Sequence, residues 1–173
     1  MNARSMRGVF VVEFAIIGLL LFVLLFGVLE MGRLFFTANA LNEAARRGAR
    51  LAAVCDIQDV HILHRAIFNE AGDASESALI NNLQPSQLVL AYFDAEGQAV
   101  ASPNDLTSPS GFRAIRFVQL RVQGFTFDLL IPTFFGTITL PDFQSTMPRE
   151  SLGRHAEGPQ GSDKPSSPGV TPC

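Results

Sequence analysis

From Val9 to Leu29 the chain is apolar at 18 of 21 positions, the exceptions being Glu13, Gly18 and Gly27. A helix rises about 1.5 Å per residue, so this run covers roughly 31 Å, close to the ~30 Å of a bilayer's hydrocarbon core. Beyond Leu29 the pattern turns from continuous to periodic. Leu34, Ala38, Leu41, Ala45, Gly48 and Ala52 recur at spacings of 4, 3, 4, 3 and 4, a heptad-like seam. Four of these six are Ala or Gly, which lets another element approach closely. Glu43 stands three residues before Arg46 and four before Arg47, the favoured acid-first order. No proline precedes Pro85, so Val9–Val54 reads as one helix of 46 residues, roughly 69 Å long. The seam has two candidate partners: the chain's own globular domain or, in part, neighbouring subunits.

The remaining pattern is that of a small mixed domain. Residues 56–84 read as helical, with Ile57, Val60, Ile62, Leu63, Ala66 and Ile67 on one face and Asp56 or Asp59 as the cap. Gly72-Asp73 breaks that stretch before a short segment at Ala78–Leu83. Leu88–Phe93 and Gln98–Ala101 flank Asp94-Ala95-Glu96-Gly97, a hairpin signal. Residues 102–111 read as loop. Phe112–Phe127 is the best strand, with Val118, Leu120 and Val122 alternating against Gln119, Arg121 and Gln123. Ile115 and Phe117 sit in the opposite phase, which predicts a bulge near Phe117-Val118. Phe134–Leu140 is a further strand. The sum is an α+β architecture: a long N-terminal helix continuing into a helix-plus-antiparallel-sheet domain over 56–152. Residues 153–173 form a tail in which eight of 21 positions are Gly or Pro, too few apolar residues to bury a core.

Composition sharpens this division. The chain has 173 residues, 47% of them hydrophobic and 17% charged, with net charge −3. That excludes a disordered chain, and the slight acidity excludes a strongly basic nucleic-acid binder. The charge is uneven. Residues 1–50 carry six Arg and three Glu, whereas the remainder carries seven basic and thirteen acidic residues. No phosphate-binding glycine loop, Gly-x-Ser-x-Gly or paired-carboxylate signature occurs, and no enzyme activity or cofactor is expected. His61 and His64 lie near Cys55 and Asp59, but their spacing matches no common zinc pattern, so no metal is expected. Cys55 follows the long helix and Cys173 is at position 173. In an oxidising compartment they would pair and tie the tail back; intermolecular pairing and free thiols are the alternatives.

Three readings fit the apolar run. A cleaved secretory signal has a basic start at Arg4 and Arg7 and a small-x-small site at Ala38-Asn39-Ala40, but the run exceeds the usual h-region of roughly 7–15 residues. A plain anchor leaves Glu13 without a use, although a carboxylate in a spanning helix costs on the order of 2.5–3.5 kcal/mol at its centre. The third reading uses that acid. Gly8-Val9-Phe10-Val11-Val12-Glu13, directly after a basic leader, resembles the type IV prepilin signal. A glycine before the scissile bond admits the backbone to a peptidase without side-chain hindrance. The cut would release 1–8 and leave a Val9 amine about one turn from Glu13. Close to the membrane, Arg4, Arg7 and the start amine oppose Arg33, which favours a cytoplasmic N-terminus.

Longer motifs extend the likeness. Arg7-Gly8-Val9-Phe10-Val11-Val12-Glu13-Phe14-Ala15, then Leu29-Glu30-Met31-Gly32-Arg33, then Ala44-Ala45-Arg46-Arg47-Gly48-Ala49-Arg50, resemble the TadE-like family over about residues 7–50. Gly18 stands where that family often has a proline. The resemblance implies a pseudopilin or minor pilin of the tight-adherence (Tad) machinery that builds Flp pili and supports adhesion. It implies an inner-membrane, single-pass location with a periplasmic domain at 56–152, or placement in a surface pilus. Its partners would be a prepilin peptidase acting at Gly8, Val9 and Glu13, other Tad/Flp pilus subunits, inner-membrane assembly proteins and membrane lipid, with no nucleic acid. Subunit docking would use Glu13, Ala38, Leu41, Ala45 and Gly48. The competing reading is a single-pass anchored periplasmic scaffold or binding protein that never enters a filament.

Overall fold

The computed structural model describes residues 3–130, 136–155, 169–170 and 173. Its dominant element is α1 (Ala3–Val54), an unbroken helix of 52 residues, roughly 78 Å long at 1.5 Å per residue. It starts six residues before Val9, so the Gly8–Val9 bond lies within helix. It also runs through Gly18, Gly27 and Gly32, around which nothing else packs. Its far end is closed by a distant segment. The last carbonyls of a helix lack helical partners; here the Leu152 N–H donates to the Ala53 carbonyl at 3.0 Å and the Gly153 N–H to the Val54 carbonyl at 2.7 Å. The Ser151 hydroxyl donates to the Val54 carbonyl at 3.0 Å. Gly153 has φ +73°, and a Cβ there would run into the backbone of Cys55 and Asp56. Only glycine meets both conditions.

The helix expected over 56–84 is much shorter. α2 spans Val60–Ala66, with the Asp59 carboxylate accepting the His61 N–H. Beyond Ile67 the chain turns, with Phe68 at φ +70°. Side chains then replace the helical ladder. Asn69 donates to the Ser75 carbonyl at 3.0 Å and accepts from the Ala78 N–H at 3.0 Å. The Ser77 hydroxyl donates to the Ile67 carbonyl at 2.6 Å. Both residues are buried, so each polar group has its partner inside the fold. No helix forms at Ala78–Leu83, where the chain runs through a bend at 78–80 and a turn at 81–82.

The main sheet is antiparallel, in the order β1 (Leu88–Phe93), β2 (Phe117–Val122), β5 (Phe143–Pro148). Register places Leu88, Val122 and Phe143 in one row, Leu90, Leu120 and Ser145 in the next, and Tyr92, Val118 and Met147 in the third. These rows share one face, and the face packs on α1. Leu120 and Val122 join Ala40, Leu41, Ala45 and Ala49, while Val118 and Tyr92 join Ala52 and Ile62. The expected long strand over 112–127 is divided. A 3-10 turn occupies Phe112–Ala114, β2 follows, and Gly124 at φ +64° redirects the chain into β3 (Thr126–Asp128). The phase change between Ile115 and Val118 falls where the 3-10 turn ends, and pairing is regular from Phe117 onward.

The Asp94–Gly97 turn forms, but its returning arm is a single bridge from Ala99 to Phe93, on the edge of β1 opposite β2. β3 pairs with β4 (Thr137–Thr139); the upstream part of the strand expected over 134–140 lies outside the described residues. β5 was not anticipated, and it covers α1 directly. Most of the expected loose tail also lies outside the described residues. Within them, β6 (Arg154–His155) pairs with β7 (Gly169–Val170).

Candidate functional site

The helix presents three zones along its length. The first is the apolar run, whose residues stand free of the rest of the chain. Phe10, Leu19, Leu24 and Val28 are all more than half exposed. This run is long and apolar enough to cross a membrane, with a mean hydropathy of 3.0 over its best 18 residues. Glu13 is also exposed, as is Gly8, and nothing approaches Gly8 within 4 Å. Val9 and Glu13 are four residues apart in continuous helix, and so share one face.

The second zone is the exit from the run. The Glu30 carboxylate accepts two hydrogen bonds from Arg33 at 2.8 and 3.0 Å. It also accepts the Leu130 N–H at 3.3 Å, across 100 residues of sequence. The Arg33 guanidinium lies 5.1 Å from the centre of the Phe127 ring, a cation–π distance. In the sequence, Glu30 and Arg33 stand out as part of the Leu29–Arg33 motif, and Arg33 also as a flanking charge of the apolar run. Their three-residue, acid-first spacing was the available signal for the pair; nothing in it pointed to Leu130.

The third zone is the small-residue seam. Leu41 and Ala45 have no exposed surface, and Gly48 is buried with them. A Cβ at Gly48 would collide with the Leu120 side chain and the Ala66 methyl. These three expected docking positions are therefore covered by the chain's own domain, which needs glycine there for α1, α2 and β2 to meet. Ala38 is half-buried at the margin. The outer face carries the charges: Glu43 and Arg46 are 3.9 Å apart, and Arg47 stacks over Phe68 at 5.6 Å instead of pairing with Glu43.

At the top of the helix, Cys55 and Cys173 form a disulfide with Cα atoms 5.6 Å apart, across 118 residues. Asp59 holds the same corner. One carboxylate oxygen accepts the Cys173 N–H at 2.9 Å, and the other lies 2.8 Å from His61 Nδ1. Burial pushes the Asp59 carboxyl up, but the Cys173 and His61 N–H bonds and the His61 imidazole outweigh it, leaving the pKa below its usual 3.8. The sequence marked Asp59 as a candidate helix cap and as a neighbour of His61 and His64, not as a partner of Cys173. Tyr92 accepts the Gln58 N–H at 3.0 Å. Burial foremost, with nearby Asp56, pushes the Tyr92 phenol up to about 12 despite that bond, so it stays neutral. His64 Nδ1 donates to the Ala71 carbonyl at 2.7 Å. Among the described residues no group of three potential metal ligands converges.

A single exposed apolar helix carrying a small α+β domain on its far half makes a rod-and-head protein, and the apolar helix suggests membrane anchoring. Residues 8–50, the exposed run together with the seam, match the family model for TadE-like protein. The chain thus carries a TadE-like N-terminal segment, and that family suggests a Tad pilus-associated minor-pilin role. The family is generally structural and non-enzymatic. No curated protein and no solved structure matches the chain.

Proposed function

We propose that this chain is a minor pilin or pseudopilin of a Tad/Flp pilus, matured by a prepilin peptidase between Gly8 and Val9. The observation that carries the proposal is the isolated acid. Glu13 lies five residues after Gly8, exposed on an apolar helix, inside the segment matched to the TadE-like family. A carboxylate there is costly in lipid without a partner. Removal of the leader creates that partner in kind: an α-amine on Val9, one turn away on the same face of this subunit or brought by a neighbour. Gly8 serves the cut in a second way. Peptidases read extended backbone, and glycine weakens helix by about 1 kcal/mol relative to alanine, which eases local unwinding at the site. The head would then lie in the periplasm with the N-terminus cytoplasmic.

Docking by this reading uses Glu13 and the exposed apolar run, and leaves Leu41, Ala45 and Gly48 to the head. Other pilus subunits and inner-membrane assembly proteins are the proposed partners. The experiment is intact-mass and N-terminal analysis of protein made with its cognate peptidase. Mature chain beginning at Val9 is expected, and Gly8→Ala should stop maturation. A product retaining Met1, or beginning at Leu41, rejects the processing site. Glu13→Ala should insert normally yet reduce pilus assembly; unchanged piliation rejects the docking role.

A further inference from the structure

The β3–β4 hairpin meets α1 where the apolar run ends. The Leu130 N–H donates to Glu30, and the same carboxylate is held by Arg33. Helical side chains lean toward the helix N-terminus. The Glu30 carboxylate is therefore level with the last turn of the apolar run, and Leu130 is held at that level with it. Leu130 is 64% exposed, and Ile138 on the opposing strand is 38% exposed. On the next turns of α1, Phe35 and Phe36 are exposed as well.

Leu129, Leu130 and residues 136–140 carry no charged side chain. Glu30 is held by Arg33, and the Asp128 carboxylate accepts from the Asn82 amide at 2.6 Å; Asp142, beyond the end of β4, is exposed. Leu130, fixed beside the exit of a spanning helix, and Ile138 on the opposing strand present aliphatic side chains that continue the lipid-facing surface of that helix. Such apolar groups lie favourably in the interface between headgroups and acyl chains.

We infer that Leu130, just beyond β3, is a second membrane contact, inserted into the interface of the leaflet from which α1 emerges. The head then rests on the bilayer at two points instead of standing off it on a free rod. Two contacts fix the rotation of α1 about its axis and limit its tilt, which are set by packing and interfacial anchors and not by the length of a span. The inference rests on the anchoring of α1.

The chain contains no tryptophan, so single-tryptophan variants of the full chain report their surroundings without background. In vesicles of zwitterionic and anionic phospholipid, Leu130→Trp should emit to the blue of Val60→Trp, a position at the opposite end of the head. It should also lose emission when the lipids are brominated near the headgroup end of the acyl chain. Leu19→Trp, in the apolar run, should be quenched by deeply brominated lipid. Quenching at Leu19→Trp with water-like, unquenched emission at Leu130→Trp overturns the Leu130 contact and leaves the anchor intact. No quenching at either position overturns both. A blue shift at Leu130→Trp that brominated lipid does not touch, and that fades as protein is diluted into lipid, overturns the inference in favour of a neighbouring subunit.

Discussion

The two halves of α1 are both apolar on a face, yet they solve different problems with different residues. The Val9–Leu29 half is built from Leu, Val, Ile and Phe all round, and its side chains stand exposed. The Leu34–Val54 half confines burial to one face, where Ala40, Ala44, Ala45, Gly48, Ala49, Ala52 and Ala53 dominate. Large side chains suit a fluid apolar solvent, which conforms to any shape. Small ones suit a rigid partner, because they let a sheet approach the helix backbone, while the bulk is supplied from the other side by Leu120, Val118 and Val122. One helix therefore shows that the kind of apolar residue, as well as its spacing, reports what covers it.

Breaking the closure of the head half should have the largest effect. Cys173→Ser opens a link across 118 residues, worth about 4–5 kcal/mol in a chain-entropy account. Chemical unfolding of the head in detergent micelles, with and without reductant, measures it, and reductant should destabilise the parent chain to the level of the variant. Next come matched truncations in the two halves. Leu41 is fully buried against the head, so Leu41→Ala should cost about 2–5 kcal/mol. Leu20→Ala removes the same atoms from the exposed half and should leave the head's unfolding midpoint unchanged. Equal losses would refute the division of α1 drawn above.

Matched enlargements test the same contrast in reverse. Gly48→Leu forces α1 away from Leu120 and Ala66, with an expected cost of about 1–3 kcal/mol. Gly27→Leu meets nothing within 4 Å and should be silent in the same assay. The smallest effect is the pH response of the corner at Cys173. Asp59 has a folded pKa below its usual 3.8. Its contribution is therefore full above the usual value and is lost as pH falls through the depressed one. Acid titration of head stability should show this loss in the parent chain, and Asp59→Asn should lack it.

The rod and its apolar run were legible in the sequence because a continuous apolar stretch and the absence of proline are local properties. β1 and the alternation of β2 were legible for the same reason. β5 was overlooked although Phe143, Ser145 and Met147 alternate with Gln144 and Thr146, a period-two signal muted by two hydroxyl residues and a terminal proline. The apolar face over 56–84 was read as a longer helix than exists. Asn69 and Ser77 offer the backbone a local alternative to helix, and only burial shows that these bonds win. At the candidate site, Gly8, Glu13 and the family segment were visible in sequence. The reach of Leu130 to Glu30 was not, because that bond depends on the path of 100 intervening residues.

By itself the sequence determined that one helix carries both an apolar run and a small-residue seam, that a single acid interrupts the run near its start, and that a small α+β domain follows. Each of these is a matter of composition or spacing within a few turns. Only the tertiary structure decided what the seam faces, how the end of α1 is closed by Leu152 and Gly153, and where the β3–β4 hairpin sits relative to the apolar run. Those outcomes turn on contacts between segments from 18 to 100 residues apart, and periodicity can show that a face needs a partner without showing which segment supplies it.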